Sequence, residues 1–335
     1  IPRFPFFRPV RVGPSWLKLF LDMWMTVWTV SLLVRGRYDV VHAHEEAVFW
    51  CVFLKPLFRF KLAYDMHSSL PQQLNNFRFT NSKLLVRIFD ALEGMALAKS
   101  DAVIAICPDL EEFALRRGVQ PERLFLIENS IFEDVRLTNG NEGTNETPAE
   151  PIRASNEPRI VYAGTFESYQ GVDLLIRAFA KVHAQRDDAT LWLVGGRPDQ
   201  IAAMRELAES LGVASACHFT GSVSKARARQ FAETASILVS PRVDGTNTPL
   251  KIYEQLASGK PLVATRIRSH TQVLTDDVCI LVEPDPDDFA AGLLRALNDP
   301  EEGARIASNA QELYETAYSR ARYEEKTRRF LEKLK

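Results

Sequence analysis

The sequence predicts an α/β protein built of two doubly wound, parallel-sheet halves, and three observations predict it. Short apolar runs alternate with longer helical patterns along nearly the whole chain, as expected of parallel strands joined by crossover helices. The alternation breaks once, at 138–158 (TNGNEGTNETPAEPIRASNEP), a polar, Asn-, Gly- and Pro-rich stretch that reads as a linker or a disordered loop. A length of 335 residues exceeds one small core and suits about two domains. The expected boundaries are a first domain at 1–137, a linker at 138–158, a second domain at 159–318 and a charged amphipathic helix at 319–335 that crosses back to the first domain.

In chain order, residues 1–15 lack a Met and form an irregular Pro-, Arg- and Phe-containing run, which suits a fragment or a processed chain. Trp16–Val34 is the most apolar segment and long enough to be weighed as a membrane span. Lys18 and Asp22 lie inside it, however, and Arg35 and Arg37 follow. Charges are costly inside a span, so a buried or interfacial helix is expected. Tyr38–His44 reads as a strand ending in polar residues. Phe49–Lys61 is a helix able to touch lipid through Trp50, Phe53, Phe58 and Phe60, although a packed helix has the same pattern. Leu62–His67 is a further strand, Asn81–Lys99 a helix, Asp101–Ile106 a strand, Asp109–Gly118 a helix and Leu124–Ile127 a strand. After the linker, strands are expected at 159–163, 190–194, 217–220, 236–240, 262–265 and 278–282. Helices alternate with them at 173–186, 200–211, 225–234, 287–298 and 301–314.

Composition narrows the function classes. The 46% hydrophobic and 25% charged fractions are those of a soluble globular protein, and a net charge of −2 argues against nucleic acid as a partner. Residues 1–100 nevertheless carry +6 and the remainder −8. A basic first half favours an anionic membrane surface or acceptor, while an ordinary asymmetric surface gives the same count. Cys51, Cys107, Cys217 and Cys279 show neither metal nor disulfide spacing, which fits a reducing cytosol, and no signal peptide is visible.

The most informative stretch is Pro241–Pro261 (PRVDGTNTPLKIYEQLASGKP), a loop and helix between two apolar strands. Thr248 can cap the helix, Pro249 suits its first position and Gly259 the residue past its end. The helix N-terminus then points outward at the carboxyl edge of a parallel sheet, where an anion, most often a phosphate, is at home. Lys251 in the first turn and Glu254 at i+3 suit a diphosphate and its ribose hydroxyls; a surface helix with an i,i+3 ion pair has the same spacing.

Taken together, the motifs resemble those of the family 4 (group 1) retaining, nucleotide-sugar-dependent glycosyltransferases of the GT-B fold. The resemblance rests on YDVVHAHE at 38–45, DAVIAICPD at 101–109, GVQPER at 118–123, VYAG at 161–164 with GVDLLIRAF at 171–179, LVGG at 193–196, HFTG at 218–221 and the Pro241–Pro261 stretch. It implies two Rossmann-like domains facing across a cleft, and a nucleotide-diphosphate-sugar as co-substrate with no further cofactor. It implies catalytic roles for His44 beside the reacting sugar, Lys251 near the diphosphate and Glu254 at the ribose. Donor-binding roles fall to Gly164, Thr165, Gln170, Gly196, Asp244, Thr246, Asn247, Thr248, Pro249 and Leu250. Asp65, His67 and Asn129 are placed on the acceptor side.

The departures from the family pattern are informative as well. Thr165 and Gln170 stand where an Arg and a Lys neutralise the departing diphosphate, and Thr246 replaces a glutamate that touches the transferred sugar. Asp244, Thr246 or Asn247 is expected to share that work. The first βα unit of the family is expected to be missing from the sequence, to be supplied by a partner or a missing segment. No metal is expected: Asp285 and Asp287 have Asp-x-Asp spacing but read as a turn and helix start. The expectation is metal-independent transfer to a glycan or lipid-linked acceptor, in the cytoplasm, with peripheral contact to an inner membrane face through 16–61. Two alternatives are a sugar-nucleotide epimerase of the same fold and a non-catalytic or partner-dependent subunit.

Overall fold

The chain divides into two compact units, Ile1–Asn129 together with Ala321–Lys335, and Ser130–Arg320. The computed structural model describes residues 16–69, 83–128 and 157–335. Asn129 and nearly all of the 138–158 stretch lie outside the described residues.

In the first unit, β1 (Val40–His44), β2 (Lys61–Met66), β3 (Ala102–Ala105) and β4 (Leu124–Leu126) form a parallel sheet in chain order. Successive side chains along a strand point to opposite faces. Leu62, Tyr64 and Met66 therefore share one face, and they are buried in one core with Val48, Val52 and Leu97 from the helices Ala47–Phe58 and Lys83–Lys99. On the other face Ala63 and Ile104 pack with Ile127, Phe330 and Leu334. Phe330 belongs to the helix Arg320–Lys333, so the end of the chain covers a sheet formed near its beginning. Lys326 Nζ donates to Glu128 Oε2 at 2.6 Å and fastens that helix to the end of β4.

The helix expected at Phe49–Lys61 is Ala47–Phe58 instead. Arg59 takes the left-handed conformation (φ 58°) and its N–H closes on Lys55 O, which frees Lys61 to start β2. The apolar segment expected at 16–34 is the helix Trp16–Arg35. Among the described residues, no helix is long and apolar enough to cross a membrane.

The second unit carries β5 (Arg159–Ala163), β6 (Thr190–Val194), β7 (Cys217–Gly221), β8 (Ile237–Ser240), β9 (Leu262–Thr265) and β10 (Ile280–Val282). The order β10-β9-β8-β5-β6-β7 is parallel throughout. It reverses direction between β5 and β8, and ligands bind at such a switch point, beyond the carboxyl ends of the strands. Ile160, Tyr162, Leu191 and Val239 face Leu175, Phe179, Phe289 and Leu293 of the helices Val172–His183 and Pro286–Asn298. Val161, Leu238 and Leu262 face Phe231, Ile252 and Leu256 of Lys225–Glu233 and Leu250–Ala257 on the opposite side. Both faces are thus dry, and each fully buried Leu or Phe contributes about 1.5–3 kcal/mol. Asp285 is the N-cap of Pro286–Asn298 and accepts from the N–H groups of Asp287 and Asp288, so this Asp-x-Asp is a helix start.

Candidate active site

The loops after β5 and β8 meet at the switch point of the second sheet. Gly171, at φ 67°, lies so close to the second loop that a Cβ there would come within 2.0 Å of Pro241 O. Val243 N–H donates to Tyr169 O at 2.9 Å, a further tie between the two loops. The helix Leu250–Ala257 then leaves the second loop. Its N-cap is Pro249 rather than Thr248. Pro249 has a helical φ of −66° but an extended ψ of 135°, so the helix begins one residue later than the capping pattern suggests. Among the described residues the buried Thr248 hydroxyl finds no hydrogen-bond partner.

Lys251 reaches back under Gly164. Its Nζ lies 4.4 Å from the Tyr162 ring centroid and donates to Gln170 Oε1 at 3.2 Å. Burial, and secondarily the Arg242 guanidinium, push its pKa down to about 7. Gln170 stands where the resemblance places a cation, and here its carbonyl oxygen accepts from the amine. Thr165 O accepts from Tyr162 Oη at 2.6 Å, and Gly196 sits with the Phe166 ring filling the space where a side chain would be.

The loop itself is organised around Arg242. Its Nε donates to Asp244 O at 2.6 Å and its Nη1 to Asn247 O at 3.3 Å, and the guanidinium lies over the Tyr169 ring at 5.2 Å. Asp244 Oδ1 accepts from Gly245 N–H at 2.6 Å, and Gln272 Nε2 donates to Thr246 O at 2.5 Å. Beneath the loop, buried His270 bridges Ser240 Oγ (3.0 Å) and the Thr265 carbonyl (2.8 Å), and burial pushes its pKa down to about 4.

Glu254 does not pair with Lys251. Its Oε1 lies 3.6 Å from Lys225 Nζ and 4.0 Å from Arg229 Nη2. These side chains and Lys251 edge a cavity of about 390 Å³ whose floor includes Val161, Ala163 and Leu238. Of the residues expected at the donor site, only Lys251 and Glu254 line this cavity; the others lie in the loops after β5, β6 and β8 or at the start of Leu250–Ala257. Lys225, Arg229 and Arg242 escaped the sequence reading. Lys225 and Arg229 do have an i,i+4 signal on one helix, whereas Arg242 has none.

In the first unit, register assembles the second group. His44 is paired with Asp65, and His42 with Ala63 two positions earlier, so the period of two places His42, His44, Asp65 and His67 on one face. Asp65 Oδ2 lies 3.2 Å from His42 Nε2 and Oδ1 lies 3.2 Å from His67 Nε2. Burial opposes the Asp65 charge, but these two imidazoles hold the carboxyl well below the usual range. The His44 and His67 rings are 4.1 Å apart. Glu45 follows His44 at φ 47°, a left-handed position, and accepts a hydrogen bond from Ser68 Oγ at 3.0 Å.

Residues 157–299 match the family model described as glycosyl transferases group 1, and residues 2–130 match that of the glycosyl transferase 4-like domain. The chain belongs to the group 1 glycosyltransferase family. A phosphatidylinositol N-acetylglucosaminyltransferase subunit of Arabidopsis thaliana is 24% identical over 272 residues, 80% of this chain and 56% of that one. Phosphatidyl-myo-inositol mannosyltransferase of Propionibacterium freudenreichii subsp. shermanii is 24% identical over 318 residues, 90% of this chain and 74% of that one. The chain thus spans little more than half the length of the plant relative. Among solved structures, Anabaena HepE in complex with UDP superposes with a TM-score of 0.72 at 18% identity, covering 96% of this chain and 84% of that one. Sucrose-phosphate synthase of Thermosynechococcus elongatus superposes at 0.71 with 21% identity, covering 96% and 80%. At these identities the likeness is one of fold, and the fold is GT-B.

Proposed function

We propose that this group 1 glycosyltransferase moves a sugar from a nucleoside-diphosphate sugar to an acceptor hydroxyl, with retention of configuration and without a metal ion. The observation that carries the proposal is the enclosed Lys251 amine at the switch point, beside the start of Leu250–Ala257. As the sugar C1–O bond breaks and the acceptor oxygen bonds to C1 on the same face, negative charge grows on the leaving diphosphate, whose departing oxygen takes up the acceptor hydroxyl's proton. A preorganised amine and a helix N-terminus stabilise that charge without reorganisation. Arg242, whose field already reaches Lys251, supplies part of the positive charge missing at Thr165 and Gln170. Glu254 exchanges its contacts with Lys225 and Arg229 for the ribose hydroxyls.

His44, Asp65 and His67 serve the transferred sugar and the acceptor. An acceptor built on inositol, carried by a lipid, is supported by the names of both curated relatives. Contact with a membrane at its cytoplasmic face is supported by Phe20, Met23, Val27 and Val34, which form an exposed apolar stripe on Trp16–Arg35. Arg35, Arg37 and Arg59 line one cavity at its end.

The test is calorimetry of the purified chain with UDP, GDP and their sugar conjugates, followed by transfer assays on phosphatidylinositol. A Glu254→Ala variant that binds and transfers like the unaltered chain would sink the reading. A second reading, in which the chain works only alongside a partner, is favoured by Thr165, Gln170 and Thr246 standing in place of charged residues. Sugar transfer or donor hydrolysis by the purified chain alone excludes it.

A further inference from the structure

The His42, His44, Asp65 and His67 group has a property that sugar transfer does not require. Three of its residues, His44, Asp65 and His67, bring donor atoms to the spacing of metal ligands. We propose that His44, Asp65 and His67 bind one divalent transition-metal ion of the zinc class.

One donor atom from each of the three residues lies within 4.8 Å of the other two. His67 Nε2 and Asp65 Oδ1 are already 3.2 Å apart. Two ligands of a tetrahedral zinc, at bonds of about 2.0–2.1 Å, are separated by roughly 3.3 Å. The separation of His67 and Asp65 thus matches that of two ligands sharing an ion. His44 completes the triangle by turning on its own side-chain torsions, which its exposed position leaves room for. The backbone beneath is fixed by the β1–β2 register and by the turn at Glu45.

The donor set selects the ion. Two imidazoles and one carboxylate suit Zn²⁺, Co²⁺ or Fe²⁺, whereas Mg²⁺ and Ca²⁺ favour oxygen ligands. His42 acts one shell further out. Its contact at 3.2 Å is with Asp65 Oδ2, the oxygen not facing His67, so it can hold the carboxylate in orientation while Oδ1 binds the ion. Such outer contacts tune metal affinity. Three protein ligands leave a coordination position open for water or a ligand oxygen. An ion held here also occupies the nitrogen of His44. If His44 serves transfer as proposed above, Zn²⁺ slows transfer and a chelator restores it. That effect rests on the functional reading; the binding itself does not.

The experiment uses the full chain, free of any polyhistidine tag and treated with chelator, titrated with Zn²⁺ by calorimetry and with Co²⁺ by visible absorption. One ion per chain is expected, with the strong absorption of low-coordinate Co²⁺, and no response to Mg²⁺. Asp65→Asn and His67→Ala each lower Zn²⁺ affinity by roughly 100-fold or more, and His42→Ala by about 10- to 100-fold, the range for loss of an outer contact. His218→Ala, in the other unit, leaves affinity unchanged. Should a variant fail to fold, the unaltered chain still decides: Zn²⁺ should protect His44 and His67 from diethyl pyrocarbonate, read by mass spectrometry. Absence of Zn²⁺ uptake, uptake indifferent to Asp65→Asn and His67→Ala, or undiminished labelling of His44 and His67 would overturn the proposal.

Discussion

The two units hold their charged groups by different means. In the second, Lys251, Arg242 and His270 sit at or under loops that are cross-tied by backbone contacts, and burial depresses the proton affinity of all three. In the first, His42, His44 and Asp65 project from two paired strands, and the register alone decides what meets what. Loop-borne groups are poised by enclosure, so their charge responds to a ligand. Strand-borne groups are poised by spacing, so their geometry persists with or without one.

The strongest way to break this contrast is Gly171→Val. The new side chain would collide with Pro241 O and force a β-branched residue into the left-handed region. Loss of several kcal/mol is expected from such a clash, read as a fall in thermal midpoint together with loss of nucleoside-diphosphate binding. An unchanged melting curve would mean the two loops are not interlocked.

Removing the enclosed cation comes next. Lys251→Ala should weaken UDP or GDP binding by roughly 10- to 100-fold, the worth of a charge-assisted hydrogen bond. Calorimetry checks this, with Lys251→Gln separating charge from size.

Two pH responses sharpen the same point. His270 in the unfolded chain takes a proton near its ordinary 6.5, whereas the folded chain resists down to about 4. Stability is therefore complete above pH 6.5 and is lost as the pH falls from there towards 4, by on the order of 3 kcal/mol. Denaturant titrations of His270→Phe, across that range, should lose this component of the slope. Lys251, with a pKa near 7, should take up a proton when a diphosphate binds, so affinity falls as the pH rises through and above 7. Calorimetry in buffers of different ionisation heat measures that uptake.

The smallest effect belongs to the strand-borne unit. Lys326→Ala removes the ion pair to Glu128, and because Lys326 is partly solvated a loss of about 0.5–1 kcal/mol is expected.

The alternation of strands and helices, the fold and both clusters of interest were legible in the sequence, because period-two and helical patterns are written locally. The Pro241–Pro261 stretch announced a helix start with a cation and a carboxylate, and His42, His44, Asp65 and His67 were visible as strand-end polar residues. Three things were not legible. The Pro249 cap depended on its extended ψ, which the proline ring leaves free. The partners of Glu254 depended on how the helix Lys225–Glu233 lies over the sheet. Arg242 reads as one more surface arginine until the loop folds around it, since its partners are backbone carbonyls that carry no sequence signature.

The return of Arg320–Lys333 to the first sheet has a consequence for biosynthesis. A ribosome completes β1 to β4 long before it makes Phe330 and Leu334, the residues that cover Ala63 and Ile104. During all of that time the nascent first unit exposes an apolar sheet face, next to the strand ends that carry His42 and Asp65. The second unit, whose strands and helices are contiguous in the chain, has no such waiting period. Emergence of the chain therefore favours a folded second unit before the first is closed, and a chaperone that binds apolar sheet would find its target on the first unit.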